Sequence, residues 1–225
     1  MSARVGVLLF PGSNCEHDVV EVIDALGGEA EIVWHGSPKL PAVDAVVLPG
    51  GFAHGDYLRP GAIARFSPVM DAVRAMAAAG GPVVGICNGF QVLTEAGMLP
   101  GALQKNAGLK FLCTMVELQV ESTNSVLSSG LARGQILSIP INHFEGNYTC
   151  SPETLARLRD EDRIVLRYVD NPNGSVDDIA GIRNEAGNVV GLMPHPERAC
   201  DALTGSQDGA ALFRCMLSAA SGVPA

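Results

Sequence analysis

The stretch PVVGICNGFQ, residues 82–91, decides how this chain is interpreted. Its apolar residues 83–86 predict a buried strand, and the glycines on either side of Cys87 predict a tight turn into a helix, since Cβ atoms would clash in so sharp a bend. A reactive side chain on such a strand-to-helix corner forms a nucleophile elbow. The start of the helix would also favour the thiolate form of Cys87. A buried structural cysteine is the alternative interpretation, because free cysteines are often buried.

A second apolar strand, predicted for residues 189–193, also ends in a polar cluster. His195 and Glu197 follow it, with Pro196 between them. Proline favours an extended backbone, and alternate residues of an extended segment point to the same side, so the imidazole and the carboxylate can meet. A base with a carboxylate that orients it is what a cysteine nucleophile needs. A surface turn after an edge strand is the alternative.

A third apolar strand, predicted for residues 45–48, ends in Gly50 and Gly51. Paired glycines let backbone N–H groups turn towards a ligand, as in an oxyanion hole, although an ordinary glycine turn has the same sequence. The carboxyl ends of parallel strands form the binding crevice of an open α/β sheet. We therefore expect Cys87, His195 and Glu197 to gather at one edge of such a sheet, with the backbone N–H groups of Gly51 and Asn88 as oxyanion donors.

The strand pattern predicts the sheet itself. From Val5 to the helix after Cys87, the predicted elements follow one another in the order β-α-β-β-α-β-α. This order is typical of a parallel sheet with helices on both faces. The C-terminal half contains five strand-like segments with few helices between them, and we expect these to add antiparallel strands and the sheet edge. They span residues 111–120, 136–141, 164–169, 179–183 and 189–193.

The segments GICNGFQ (85–91) and HPE (195–197) resemble those of the class I, triad-type glutamine amidotransferases. Within that family the chain resembles the glutaminase subunits of phosphoribosylformylglycinamidine synthase. Phe144 departs from their pattern, which has a small residue between His143 and Glu145. The similarity runs from about Val5 to Arg198 and includes FPGSNC (10–15), PGGF (49–52), HGD (54–56), NH (142–143), EGNY (145–148), NPNGS (171–175) and MPHPER (193–198).

The resemblance implies a flavodoxin-like fold and hydrolysis of glutamine to glutamate and ammonia through a cysteine thioester. Cys87 would be the nucleophile, His195 the base and Glu197 the group that orients it. Gln91 would help to hold the substrate. The same resemblance implies that Asn142, His143 and Phe144 line the amino-acid end of the glutamine pocket.

The resemblance also implies two partners, a large ATP-binding synthase subunit and a small accessory subunit, which use the ammonia in purine biosynthesis. ATP and Mg²⁺ would belong to the synthase subunit, and no cofactor to this chain. In agreement, the chain has neither a GxxxxGK[ST] loop nor a GxGxxG fingerprint. His54 and Asp56 are too few ligands for a metal site, so we expect them to serve loop structure or subunit contact.

Composition limits the remaining possibilities. The 225 residues suit one domain, 1–225, and the net charge of −9 without a basic run argues against nucleic acid as a partner. No apolar stretch approaches the ~20 residues of a membrane span. The N-terminal segment has no signal-peptide pattern, and the six cysteines form no Cys-x-x-Cys pair. A cytoplasmic protein with reduced thiols is expected.

Several alternatives remain open from the residues alone. Cys15 follows another strand end and is a rival nucleophile, and His143 has Glu145 two residues on and is a rival base. The chain could also serve a different amidotransferase or be another cysteine hydrolase. The alternative that is not an enzyme is a regulatory module, which has no catalytic activity and uses the crevice only to bind a ligand.

Overall fold

The computed structural model describes residues 2–222, which form eleven strands and five α-helices. The strands are β1 (Arg4–Leu9), β2 (Glu29–Trp34), β3 (Ala45–Leu48), β4 (Val83–Ile86), β5 (Ala102–Gln104), β6 (Leu112–Val120), β7 (Ile136–His143), β8 (Asn147–Thr149), β9 (Ile164–Tyr168), β10 (Ile179–Arg183) and β11 (Val189–Leu192). The helices are α1 (Glu16–Ala25), α2 (Val69–Ala78), α3 (Asn88–Glu95), α4 (Pro152–Asp160) and α5 (Asp208–Ser221).

Nine strands form one mixed sheet in the order β2-β1-β3-β4-β11-β10-β9-β6-β7. The first five in this order are parallel, and the last four continue the sheet in antiparallel pairs. Strands β3, β4 and β11 are buried along their whole length, as their unbroken apolar sequences require at the centre of a covered sheet. The predicted parallel sheet and its antiparallel extension are both confirmed.

The helices cover both faces of the parallel half. The β1-α1-β2 crossover moves along the sheet in one direction and the β3-α2-β4 crossover in the other, so right-handed connections put α1 and α2 on opposite faces. The face of α1 predicted from its periodicity, Val19, Val22 and Ile23, is buried. Helix α5 contacts α1 and therefore lies on the same side.

Three elements were not predicted. Strands β5 and β8 form a separate two-stranded sheet, in which the buried Tyr148 stacks on Phe90 of α3 at a ring distance of 5.9 Å. This contact braces the helix that follows Cys87. Helix α4 is capped by Ser151, whose side chain accepts a hydrogen bond from the Thr154 N–H.

The single-domain prediction covers residues 1–225, of which Met1 and 223–225 lie outside the described residues. Among residues 2–222, no helix combines the length and the apolar character that crossing a bilayer requires.

Candidate active site

Cys87 lies on a strained corner between β4 and α3. Its backbone has φ 49° and ψ −104°, a region that L-residues rarely occupy. The flanking glycines are required by close contacts: a Cβ on Gly85 would lie 2.7 Å from the Gly89 backbone, and one on Gly89 would lie 2.0 Å from the Leu48 carbonyl oxygen. The turn that the sequence predicts as a nucleophile elbow therefore has that geometry.

His195 and Glu197 reach the same edge of the sheet as Cys87, because β11 and β4 are neighbouring parallel strands with Leu192 opposite Ile86. Both side chains are buried, and the His195 Nδ1 lies 2.6 Å from the Glu197 Oε1. A carboxylate can only accept here, so Nδ1 carries the proton and Nε2 keeps its lone pair. The Nε2 atom is buried and has no hydrogen-bond partner within residues 2–222.

The charge state of His195 is set by its neighbours. Burial acts to lower the pKa of the imidazole, but the Glu197 carboxylate and the Cys87 and Cys15 thiols act in the other direction and hold the pKa well above its ordinary value.

The glycine turn after β3 is held by the segment after β1. The Gly50 carbonyl accepts hydrogen bonds from the Asn14 and Cys15 N–H groups at 3.2 and 3.3 Å, and the Phe52 N–H donates to the Gly12 carbonyl at 2.8 Å. Gly51 has φ +145°, and a Cβ there would meet the backbone of residues 12–14 within 3 Å.

The two expected oxyanion donors are both without an acceptor. The Gly51 N–H makes no hydrogen bond within residues 2–222, and neither does the N–H of Asn88, the first residue of α3. Gly51 lines the same pocket as Cys87. The Gly51 N–H group is therefore available to a ligand in this pocket, whereas Asn88 is buried and is not among the residues that line it.

The side chains of Asn88 and Gln91 connect the elbow helix to two loops. The Asn88 Oδ1 accepts from the Ala53 N–H at 3.0 Å, and its Nδ2 donates to the Gln91 Oε1 at 2.8 Å. The Gln91 Nε2 donates to the Glu145 carbonyl at 2.6 Å. Gln91 lines the pocket, as predicted for a substrate-binding residue, but its amide also holds the loop after β7 against α3.

A pocket of about 250 Å³ lies over Cys87, a volume that suits a small ligand such as a free amino acid. Three larger surface pockets, of about 570, 630 and 420 Å³, are not lined by Cys87. The predicted residues that line the small pocket are Gly51, Cys87, Gln91, Asn142, His143, Phe144 and His195, and the residues that the sequence did not assign to it are Asn14, Cys15, Phe52, Asp56, Glu145 and Arg198.

Cys15 lies near His195, but its sulfur faces Nδ1 rather than the free Nε2 that would take the proton of a nucleophile. Its Sγ is 3.9 Å from Nδ1, which the Glu197 carboxylate already occupies, and it accepts a hydrogen bond from the Arg198 Nη2 at 3.2 Å. Its backbone lacks the strained corner of Cys87. The geometry favours Cys87 over Cys15.

The same atoms argue against a metal site. The ligand atoms of Cys15, His195 and Glu197 lie within 4.8 Å of one another, which is close enough for a shared cation. The imidazole and the carboxylate are already hydrogen-bonded, and the guanidinium of Arg198 faces the sulfur. A positive charge beside the sulfur disfavours a cation there, so the cluster suits proton transfer rather than metal binding.

His143 is oriented by an amide rather than by Glu145. Its Nδ1 lies 3.1 Å from the Oδ1 of Asn106, a residue that the sequence did not single out. Burial, with a smaller contribution from His195, lowers the pKa of His143 to about 4, so the ring is neutral. A neutral ring without a carboxylate partner lines the pocket and is a poorer base than His195.

Of the HGD segment, Asp56 lines the pocket, whereas His54 packs its ring against His35 at 5.0 Å and Phe10 at 6.4 Å. The expectation of a loop role fits His54. For Asp56 the expectation was incomplete, because the loop after β3 turns its carboxylate towards Asn88 and the pocket.

Comparison with known proteins gives a consistent relationship. Residues 2–211 match the family model for the CobB/CobQ-like glutamine amidotransferase domain. Two relatives are named phosphoribosylformylglycinamidine synthase subunit PurQ. The Rubrobacter xylanophilus relative is 54% identical over 217 residues, covering 96% of this chain and 99% of its own. The Koribacter versatilis relative is 53% identical over 226 residues, covering 96% and 98%.

Solved structures agree with the observed fold. A chain in the structure of PurLQS from Thermotoga maritima matches with a TM-score of 0.89 and 41% identity, covering 97% of this chain and 99% of that one. A glutamine amidotransferase from Thermotoga maritima matches with a TM-score of 0.64 and 14% identity, covering 98% of each chain. The second match is informative for the fold alone.

Proposed function

The chain belongs to the CobB/CobQ-like glutamine amidotransferase family, and we propose that it is the glutaminase subunit of phosphoribosylformylglycinamidine synthase. It hydrolyses glutamine to glutamate and ammonia. Relatives at 53–54% identity over nearly the whole chain bear the name of this subunit. The observation on which the chemistry rests is the 2.6 Å pair of His195 and Glu197, which leaves Nε2 free beside the corner that holds Cys87.

The acylation step starts with the proton of the Cys87 thiol, which moves to His195 Nε2. The thiolate attacks the side-chain amide carbon of glutamine, and the Gly51 and Asn88 N–H groups stabilise the oxyanion by roughly 3 kcal/mol for each donor. His195 returns the proton to the leaving nitrogen, the C–N bond breaks, and ammonia departs from a thioester. Glu197 keeps the proton on Nδ1 and stabilises the imidazolium.

The deacylation step repeats the same proton transfers with water. His195 takes a proton from a water molecule, which attacks the thioester carbon, and the C–S bond breaks. His195 returns this proton to the sulfur, so glutamate leaves and the thiol of Cys87 is restored. Every group that moves a proton is used twice, so no further base is needed.

The ammonia passes to a large synthase subunit, and a small accessory subunit joins the assembly. This proposal is supported by the 41% identity to a chain in a structure titled PurLQS. The complex acts as a carbon–nitrogen ligase that converts formylglycinamide ribonucleotide to the amidine in purine biosynthesis. ATP and Mg²⁺ are used by the synthase subunit, and the cytoplasm is the proposed compartment.

An ammonia-release assay tests the function. The purified chain is supplied with glutamine, first alone and then with the synthase and accessory subunits, ATP and formylglycinamide ribonucleotide. Cys87→Ser should abolish ammonia release, whereas Cys113→Ser, at an exposed thiol, should not. Glutamine hydrolysis that no such partner alters would contradict the purine assignment and leave the glutaminase one.

A labelling experiment separates the enzyme from a silent binding module. An electrophilic glutamine analogue should alkylate Cys87 in the assembled complex, and mass spectrometry should locate the adduct on the peptide that contains residue 87. An unlabelled Cys87 in a complex that binds glutamine would favour the module.

A further inference from the structure

The side chain of Asn88 has no role in the reaction described above, although this residue follows Cys87 directly. It is buried in the first turn of α3. Its Oδ1 accepts from the Ala53 N–H at 3.0 Å, and its Nδ2 donates to the Asp56 Oδ1 at 3.2 Å and to the Gln91 Oε1 at 2.8 Å. Both donor hydrogens of the amide and one of its acceptor positions are therefore in use.

This amide links the elbow helix to the glycine turn after β3, residues 50–56. Within the described part of the chain, both hydrogen bonds that connect this turn to α3 end on the Asn88 side chain. The backbone hydrogen bonds that connect the turn to another segment run to residues 11–15, after β1. The segment after β1 thus holds the turn from one side, and Asn88 holds it from the side of the nucleophile.

The turn carries an oxyanion donor on a permissive backbone. Gly50 and Gly51 lie between β3 and Ala53, and glycine has more conformational freedom than any other residue. Gly51 lines the pocket with Cys87, and its N–H makes no hydrogen bond within residues 2–222. Since Ala53 is only two residues further on, the bond from its N–H to Asn88 restrains the Gly51 N–H as well. One side chain next to the nucleophile therefore limits the distance between the sulfur and this donor.

We propose that Asn88 is a positioning residue, whose side-chain amide holds the Gly51 N–H at the distance from Cys87 that stabilisation of the oxyanion requires. This inference rests on the proposed function. Loss of an oxyanion donor costs about 10²- to 10³-fold in kcat, and a misplacement near 1 Å costs up to about 10²-fold. Removal of the amide should therefore lower kcat roughly 10- to 100-fold.

Asn88→Leu tests this role in the assembled complex, because leucine has the same branched shape and no hydrogen-bonding group. The kcat for glutamine should fall by the factor given above, whereas the KM should change little, since the oxyanion develops only after the substrate has bound. Asn88→Ala removes the same amide and takes the place of Asn88→Leu if thermal melts show that the leucine variant does not fold.

Asn188→Leu is the matched control. This amide is also buried, and it also makes three hydrogen bonds, which join it to the Ala77 and Gly81 carbonyls and to the Asn184 side chain. It precedes β11 and so lies at the edge of the sheet opposite to Cys87. Asn188→Leu should lower the melting temperature, as the loss of buried hydrogen bonds requires, and should leave kcat unchanged.

Two reagents separate the oxyanion from the nucleophile. In glutamate γ-semialdehyde, hydrogen replaces the amide nitrogen of glutamine. The Cys87 proton moves to His195, the sulfur bonds to the aldehyde carbon, and the π electrons of the carbonyl group move to its oxygen. Iodoacetamide also forms a C–S bond, but iodide leaves and no oxyanion develops.

The affinity for the aldehyde should fall with kcat in Asn88→Leu, because both depend on the oxyanion donor. All variants receive the same solution, so the partial cyclisation of the aldehyde cancels in the comparison. The rate at which iodoacetamide alkylates Cys87, followed by mass spectrometry of the peptide that contains it, should not change.

A double variant distinguishes the turn from Gln91. In Asn88→Asp combined with Asp56→Asn, the carboxylate at position 88 still accepts from the Ala53 N–H and also accepts from the amide at position 56, while the donor to Gln91 is lost. Its kcat should equal that of Asp56→Asn alone. A fall as large as that of Asn88→Leu would assign the effect to Gln91 and overturn the proposal.

The remaining outcomes are equally distinct. A wild-type complex that hydrolyses glutamine, with unchanged kcat and aldehyde affinity in the folded Asn88 variant, would overturn the positioning role and leave the proposed function intact. A higher KM with unchanged kcat, or slower alkylation of Cys87, would also overturn it, since the amide would then act on the substrate or the sulfur. A wild-type complex that hydrolyses no glutamine would overturn both.

Discussion

Gly50 is a position where the addition of a single methyl group should impair catalysis. A Cβ added there would lie 2.7 Å from the Cε1 and 3.3 Å from the Nδ1 of His195. The backbone of Gly50 is not in the left-handed region, so alanine is compatible with its conformation. The Gly50→Ala substitution therefore acts mainly on the imidazole, and on the Cys15 sulfur 3.2 Å away, rather than on the turn.

The expected loss follows from these distances. Ordinary carbon–carbon contact begins near 3.5 Å, so the ring must move by about 0.8 Å or the strand end must shift. His195 is held by Glu197 at 2.6 Å and, through its N–H, by the Pro140 carbonyl at 2.8 Å. A displacement near 1 Å in an active site costs up to about 10²-fold in rate, so kcat should fall roughly 10- to 100-fold.

The assay is steady-state glutaminase kinetics in the assembled complex, with thermal melts as the measure of folding. The KM for glutamine should change little, because Gly50 does not line the pocket. Overpacking should cost about 1–3 kcal/mol of stability. Gly108→Ala is the control, since a Cβ there meets nothing within 4 Å.

A folded Gly50→Ala chain with wild-type kcat would refute the reasoning. It would mean either that the orientation of His195 does not limit the reaction or that the strand end moves instead of the ring. A fall in kcat for Gly108→Ala of the same size would show instead that the effect is not specific to the imidazole.

Three further outcomes are expected. Cys15→Ala should retain at least about a tenth of the glutaminase rate, because its thiol contacts the occupied Nδ1 rather than the free Nε2; loss of activity equal to that of Cys87→Ser would make Cys15 the nucleophile. Asp56 has a folded-state pKa of about 6 against an ordinary 3.8, so its ionised form destabilises the fold above pH 6 and this penalty is absent below pH 3.8. Asp56→Asn should therefore raise the free energy of unfolding by about 1–2 kcal/mol at pH 8 and by less as the pH falls towards 4, in urea titrations; a constant difference across this range would contradict the shift. Gly89→Ala puts a Cβ 2.0 Å from the Leu48 carbonyl oxygen and should cost about 3 kcal/mol or more in the same titrations, and a wild-type midpoint would show that the elbow is looser than described.

The sequence predicts the centre of the fold well because its signals there are local. Strands β3, β4 and β11 are short apolar runs with glycines at or near their ends, and the carboxyl ends of parallel strands meet without further information. The pairing of His195 with Cys87 follows from this rule, although 108 positions separate them in the chain.

The parts of the structure that surround this centre could not be predicted from the sequence, and the reasons are physical. Asn106 acts through contacts with residues 37 and 40 positions away, and no local pattern encodes such a partner. Strands β5 and β8 have three residues each, too few for a periodic signal. Helix α4 buries only Leu158, so its pattern is weak, although Ser151 followed by Pro152 is a helix-start signal that could have located it.

The unusual backbone of Cys87 has a measurable consequence for stability. At φ 49° and ψ −104° any side chain is unfavourable, and only glycine relieves the corner. An inactive Cys87→Gly chain should therefore melt at a higher temperature than Cys87→Ala, even though glycine loses more freedom on folding. The difference in melting temperature between these two variants would measure the backbone strain that the wild-type protein carries at residue 87.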